Sequence, residues 1–565
     1  MENFVRAFQK GSSKNNDLGE VKTNSITDDD LEGMVNFKKG GEHITVEEVD
    51  DENPIFKEDR NRLSQDLRSR HLQMIAICGV FGTGIFLSSG TVYSLTGAGG
   101  CFLAYALVAV VVGINQVAIA EVAALMPTSS AVVRHLEHFV DPAMGFAYGW
   151  ILWWGASMPG EISAAAVIVS YWTDINGAAW ISIIIVLSFA SNAYSMRVYG
   201  EIEFFFAILK LSLLLGLIIV SIIITSGGGP NHEAIGFRYW RDPDAFLPFL
   251  TTGSLGRFAA FWKSLSSVVY SYGGVQSVPT LASEVRYPRR SVFKACKRIF
   301  FRVTILMILA AFSLTLIVSP EDKNITSGSG NAKSSPFVVA IKNAGIPALP
   351  HIVNAVVLTS AFSAGNNNVV QGTRCLFAMA VKGQAPKIFL KTTKRGIPLN
   401  ALLLVTLFMP LAFMSVSESA ANVFNWFQNL TSSNLLLGWI LIGLNHVSMH
   451  RAMWAQGYTR ADLPHTFPGG QYSGYVSGVI SLILLLTGGF TNFVHGHFAI
   501  ASFFSSYFVI PLTLVLFLFW KFFKKTKYLR PEDVDLNSLF MDVQRNPEPL
   551  EEPLRGWRLL TLLWN

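Results

Sequence analysis

The sequence predicts an all-α membrane protein, and three observations carry that expectation. Charged residues make up only 15 % of the 565 residues and hydrophobic ones 51 %, whereas a soluble domain carries about a quarter of its residues as charge. The mean hydropathy is +0.40. The apolar residues also gather into about twelve runs, each near the roughly 20 residues that cross a bilayer as helix. The net charge of +6 is small and concentrated in a few loops, which gives no signal for nucleic acid. The four cysteines, at 78, 101, 296 and 375, have no repeated spacing, so neither a disulfide framework nor a metal centre is expected.

Residues 1–70 are polar, with acidic clusters such as Asp28-Asp29-Asp30 and scattered lysines such as Lys14, Lys22 and Lys38. They read as a disordered tail; a sharper reading makes it a regulatory tail whose modified lysines recruit ubiquitin-ligase adaptors. The first apolar run starts only near residue 72, too late for a cleavable signal, so the first helix is expected to act as the insertion signal. Apolar segments follow at roughly 72–95, 101–125, 144–170, 179–196, 201–224, 262–282, 299–318, 349–380, 397–416, 420–443, 474–494 and 498–523. The expected transporter domain is thus 71–525, with a C-terminal tail at 526–565.

Basic residues set the orientation. Arg286, Arg289, Arg290 and Lys294 follow the sixth segment, Lys382, Lys387 and Lys391 the eighth, and Lys521, Lys524 and Lys525 the twelfth. They share one side only if both tails are cytoplasmic. Asn324-Ile325-Thr326 then becomes an outward glycosylation sequon, with Asn324 the candidate.

Two helices are interrupted by glycine. Gly82-Thr83-Gly84 lies about 17–20 Å into the first, and Ser271-Tyr272-Gly273-Gly274 about 14–18 Å into the sixth, at 1.5 Å per residue. Both depths fall near the bilayer midplane. Broken helices at matching places in two halves point to a transporter binding site. N–H groups freed at a half-helix start suit a carboxylate, and freed carbonyls suit an ammonium, so the pair fits an α-amino acid. The alternative is that these glycines only permit close helix packing.

Buried charge is the second signal. Glu121, Glu161 and Lys210 sit inside apolar runs, while Glu201 and Glu203 lie at a helix entrance where water can reach. Intramembrane charges mark ion or proton pathways. Lys210, with Glu161 as partner, reads as a coupling site or as a static ion pair, and Glu121 reads as a coupling candidate or a helix-end hydrogen bond. His135, His138, His351 and His446 show no metal-ligand spacing and read as loop or interface histidines. No nucleophile–base constellation is present, so an enzyme is not expected, and neither a metal nor a cofactor is expected.

His71-Leu72-Gln73-Met74-Ile75-Ala76-Ile77 followed by Gly79-Val80-Phe81-Gly82-Thr83-Gly84 resembles the first helix of the fungal amino-acid permeases, the yeast branch of the amino acid–polyamine–organocation superfamily. Pro159-Gly160-Glu161, Tyr199-Gly200-Glu201-Ile202-Glu203-Phe204 with Lys210, and Glu284-Val285-Arg286-Tyr287-Pro288 resemble its later helices and loops. The resemblance implies a leucine-transporter-type fold of two inverted five-helix repeats plus two helices. It also implies plasma-membrane import of amino acids coupled to protons by alternating access. It places carboxylate binding at Gly82, Thr83 and Gly84, amine binding around Tyr270, Ser271 and Tyr272, and a sodium-replacing lysine at Lys210. Cys78 and Phe81 stand where glycine and isoleucine are usual, and Gln276 where glutamate is frequent, which favours neutral over cationic substrates. The rival readings are an amino-acid sensor of the same fold, or a carrier of polyamine- or choline-like cations.

Overall fold

The computed structural model describes residues 81–548 apart from 129, 174, 276–278, 280–286, 323–324, 326–334 and 418–419. The N-terminal tail, Gln276 and Asn324 therefore lie outside the described residues. Within them the chain is helical, with no strand.

A π-helical turn, Gly84–Ser88, leads into α1, Ser89–Leu125. At 1.5 Å per residue this helix is too long to be one crossing of a core of roughly 30 Å. It turns at Gly97, which has φ 74°. A side chain at Gly97 would strike the Asp244 carbonyl at 2.3 Å. The amides of Ala98 and Gly99, freed by the turn, donate to the carbonyls of Asp244 and Ala245.

Next come α2 (Ala131–Phe139), α3 (Pro142–Ala156) and α4 (Gly160–Val169). The last two are one apolar stretch cut at Pro159, where the ring removes a helical donor. Asp141 caps α3 by accepting from the Ala143 amide. Then follow α5 (Gly177–Tyr194), α6 (Met196–Thr225), α7 (Gly253–Ser271), α8 (Pro288–Ile317) and α9 (Pro336–Asn343). The series continues with α10 (Leu349–Val381), α11 (Leu399–Thr406), α12 (Ala420–Ala455) and α13 (Ser473–Thr487). It closes with α14 (Ile500–Tyr507), α15 (Val509–Lys524) and α16 (Asn537–Arg545).

The helices turn their few polar and charged groups inward and leave an apolar face outside. On α6 the buried stripe is Glu203, Ala207, Lys210, Leu214, Leu217, Ser221 and Ile224, spaced alternately four and three, while Phe205, Ile208, Leu215 and Ile219 are exposed. That is the arrangement of a helix whose outer face meets lipid.

Seven helices among the described residues are long and apolar enough to cross a membrane, or eight if the bent pair α14–α15 is one span. This is a multi-pass membrane protein. The count differs from about twelve for local reasons. The first expected crossing begins outside the described residues, α1 runs through two expected segments, and α3 and α4 are each too short alone. The long α10 is diluted by Asn354, Asn366, Asn367, Asn368 and Arg374.

α1 packs against α7, α8, α12 and α13, and α10 packs against α3, α4 and α6. The last described segment returns to the helix ends. The Leu529 amide donates to the Val140 carbonyl, Asp542 pairs with Arg289, and Leu536, Leu539 and Phe540 are buried.

Candidate functional site

The two glycine stretches marked in the sequence meet in space. Among the described residues, helical structure begins at Thr83–Gly84, and Thr83 makes no side-chain cap. α7 ends at Ser271, after which the Gly273 amide donates to the Tyr270 carbonyl and Gly274 adopts φ 83°. The contact is backbone to backbone. A Cβ built on Gly84 would stand 2.5 Å from the Ser271 Cα.

Beside this contact is a cavity lined by Gly82, Gly84, Glu161, Tyr270, Gly273 and Gly274 together with residues of α3, α10 and α12. Of the residues expected to bind substrate, Gly82, Gly84 and Tyr270 line it. Thr83, Ser271 and Tyr272 stand behind the wall and brace it. Thr83 Oγ1 and Tyr270 Oη are 3.1 Å apart, Ser271 Oγ is 3.2 Å from Tyr105 Oη, and Tyr272 Oη donates to the Tyr105 carbonyl.

Glu161 opens α4, and its Oε1 accepts from Tyr270 Oη at 2.8 Å. Its Oε2 has no hydrogen-bond partner among the described residues. Thr83, Tyr270 and Glu161 thus form a polar chain joining the first break to the sixth-segment helix and to α4. The Pro159 cut is what lets Glu161 sit at a helix start.

Lys210 is fully buried, but the structure hydrogen-bonds it elsewhere than to Glu161. Its Nζ donates to Ser363 Oγ at 3.1 Å, and the Ser363 hydroxyl donates to the Glu203 carboxylate. Glu203 is itself fully buried, which corrects the expectation that water reaches it. The physical reason is that α6 starts at Met196 and carries Glu203 two turns before Lys210 on the inward stripe. One turn earlier on α10, Ser360 donates to the Phe81 carbonyl at 2.7 Å, so α10 serves both the lysine and the first break.

A family profile for amino acid permeases matches residues 71–531. The chain belongs to the amino acid permease family. It is 36 % identical over 537 residues to the dicarboxylic amino acid permease of Saccharomyces cerevisiae, covering 93 % of this chain and 88 % of that protein. It is also 36 % identical over 511 residues to the proline-specific permease of Emericella nidulans, covering 88 % and 93 %. The lysine-specific permease of Saccharomyces cerevisiae is 33 % identical over 515 residues, covering 90 % and 84 %. Its membership is that of a transporter, not of an enzyme.

In this permease Glu121 lies away from the cavity. Its Oε1 accepts from Arg460 Nη2 at 2.6 Å and from the Phe467 amide at 2.9 Å, both in the segment between α12 and α13. Its Oε2 faces His446 and His450. His450, one helical turn on from His446, forms a close group with it and Glu121. The signal available was the four-residue spacing on one helix. For Glu203 it was the seven-residue spacing to Lys210.

Proposed function

We propose that this permease imports amino acids across the plasma membrane by proton-coupled alternating access. The observation that carries this reading is the pair of helix ends facing one cavity. The start at Thr83–Gly84 offers the first-turn amides and the positive end of a helix dipole, which suit a carboxylate. The end at Ser271–Gly274 offers carbonyl oxygens, which suit an ammonium. Opposite them, Leu152, Ala156, Asn434 and Leu435 form the wall that reads the substrate side chain. A polyamine or choline lacks the carboxylate and leaves the first helix end unused.

Coupling is assigned to Lys210 and Glu161. The lysine holds α6 to α10 next to the first break, where a fixed positive charge does the electrostatic work of a bound cation. Glu161 lines the cavity and its buried Oε2 has no hydrogen-bond partner among the described residues, which suits a carboxyl that takes up and releases a proton. The proposed topology has twelve spans in a five-plus-five inverted repeat with two further helices, in a domain at 71–525. The broken helices open each half, and the tails at 1–70 and 526–565 are both cytoplasmic. The tail lysines are proposed to engage ubiquitin-ligase adaptors.

Uptake of a panel of radiolabelled amino acids in permease-deficient cells tests the proposal. Accumulation against a gradient, faster at acid external pH, is expected for at least one of them. A surface-expressed protein that accumulates none of the panel would instead be a ligand sensor.

A further inference from the structure

Glu121, His446 and His450 converge on one point although they come from two helices. Glu121 Oε2 lies 3.0 Å from His446 Nε2 and 3.4 Å from His450 Nε2, and the two Nε2 atoms are 3.2 Å apart. Three lone-pair-bearing atoms thus form a nearly regular triangle. With both imidazoles carrying Nε2–H, Oε2 accepts from each and the nitrogen–nitrogen edge brings two donors together, whereas a cation among the three atoms takes a lone pair from each. Zinc bonds of about 2.0–2.1 Å in a tetrahedron put neighbouring ligand atoms about 3.3–3.4 Å apart, close to the spacing here.

We propose that these three side chains form a site for a divalent transition cation with zinc-like preferences. The sequence supplies the two imidazoles from one face of α12 by their spacing of four, and the carboxylate from the far end of α1. Arg460 and the Phe467 amide hold Oε1, which turns Oε2 toward the imidazoles, as outer partners of a metal ligand do. Glu121 and His446 are buried, while the His450 side chain is 19 % exposed and leaves an entry path and a fourth position for water. The Arg460 charge already offsets that of Glu121, so the site cannot hold a cation by charge alone. Imidazole bonding must do so, which favours zinc, nickel or copper over calcium or magnesium. Bound there, the ion ties α1, α12 and the segment bearing Arg460 and Phe467 to one another.

The test uses the full-length, tag-free permease, purified in detergent and stripped with chelator. It measures zinc retained per chain after gel filtration and the shift in Tm on adding zinc or magnesium. About one zinc per chain and a rise in Tm with zinc but not magnesium are expected. His450→Ala should weaken zinc binding at least about tenfold, and His450→Cys, which keeps a zinc donor, should restore it. The same Tm for both variants without metal shows that neither has unfolded. No retained zinc in the unsubstituted chain, or equal retention by the double variant H446A/H450A, would overturn the proposal and leave the cluster a shared-proton ion pair.

Discussion

Gly84→Ala perturbs the point where the two helix breaks touch. The added methyl would stand 2.5 Å from the Ser271 Cα, 2.9 Å from its Oγ and 3.0 Å from its Cβ. Carbon atoms settle at about 3.5–4.0 Å, so the start of the π turn and the end of α7 must part by about 1 Å. Backbone rather than the tip of a flexible side chain is in the way, and the strain has no easy relief. Overpacking of this kind costs roughly 1–3 kcal/mol. At about 1.4 kcal/mol per factor of ten, kcat/KM for uptake should fall about 5- to 150-fold. Gly82→Ala is gentler. Its methyl would lie 3.1 Å from Glu161 Oε1 and 3.3 Å from the Ala364 Cβ, contacts that a few tenths of an ångström relieve. Initial rates of radiolabelled uptake, normalised to surface protein measured by biotinylation, give the comparison. Valine at either position should abolish uptake while the protein still reaches the surface. Unaltered kcat/KM in Gly84→Ala, or a larger loss in Gly82→Ala, would refute the claim that these two helix ends build the site.

Three further outcomes follow from the same geometry. Lys210→Ala removes the donor to Ser363 and should abolish accumulation against a gradient more severely than it weakens substrate binding, measured by uptake and by thermal shift with ligand; accumulation with an unchanged pH profile would make Lys210 a structural residue only. Glu161→Gln keeps an acceptor for Tyr270 but cannot take up a proton, and should flatten the dependence of uptake rate on external pH; a parallel, undiminished profile would move the coupling elsewhere. Gln276→Glu should raise competition by arginine and lysine relative to neutral amino acids in an uptake assay, because it adds negative charge to the sixth apolar segment; a wild-type preference for arginine would contradict the reading of the neutral side chain.

The end of α7 at Ser271 is legible in the sequence because clustered glycines weaken a helix, so a cluster inside an apolar run marks where the chain can leave it. Lys210 is legible for a similar reason: a lysine amid leucines stands out. Its hydrogen-bond partner does not, since Ser363 is an ordinary residue 153 positions away, and serine in a helix carries no sign of what it faces. Glu203 reads as an entrance residue because the apolar run begins near residue 201, whereas the helix already starts at Met196 and makes it a stripe position. The count of spans is blurred where one apolar run is cut by Pro159 and where Gly97 turns a continuous helical stretch. Periodicity alone shows neither. Glu121 and the histidines of α12 are each visible singly, but their convergence depends on how α1 packs against α12, and that is set by the whole bundle.

Central to the proposed function is recognition of both ends of an α-amino acid by one cavity, carboxylate at Thr83–Gly84 and ammonium at Ser271–Gly274. Competition against the best-transported amino acid tests it directly, using that amino acid, its decarboxylated amine and its deaminated acid at equal concentrations. The unlabelled amino acid should inhibit uptake of the labelled one at micromolar to millimolar levels, and each truncated analogue should need at least about tenfold more, as expected when a buried polar partner is left unpaired. Inhibition by the amine as strong as by the amino acid would contradict the carboxylate site and assign the cavity to organic cations.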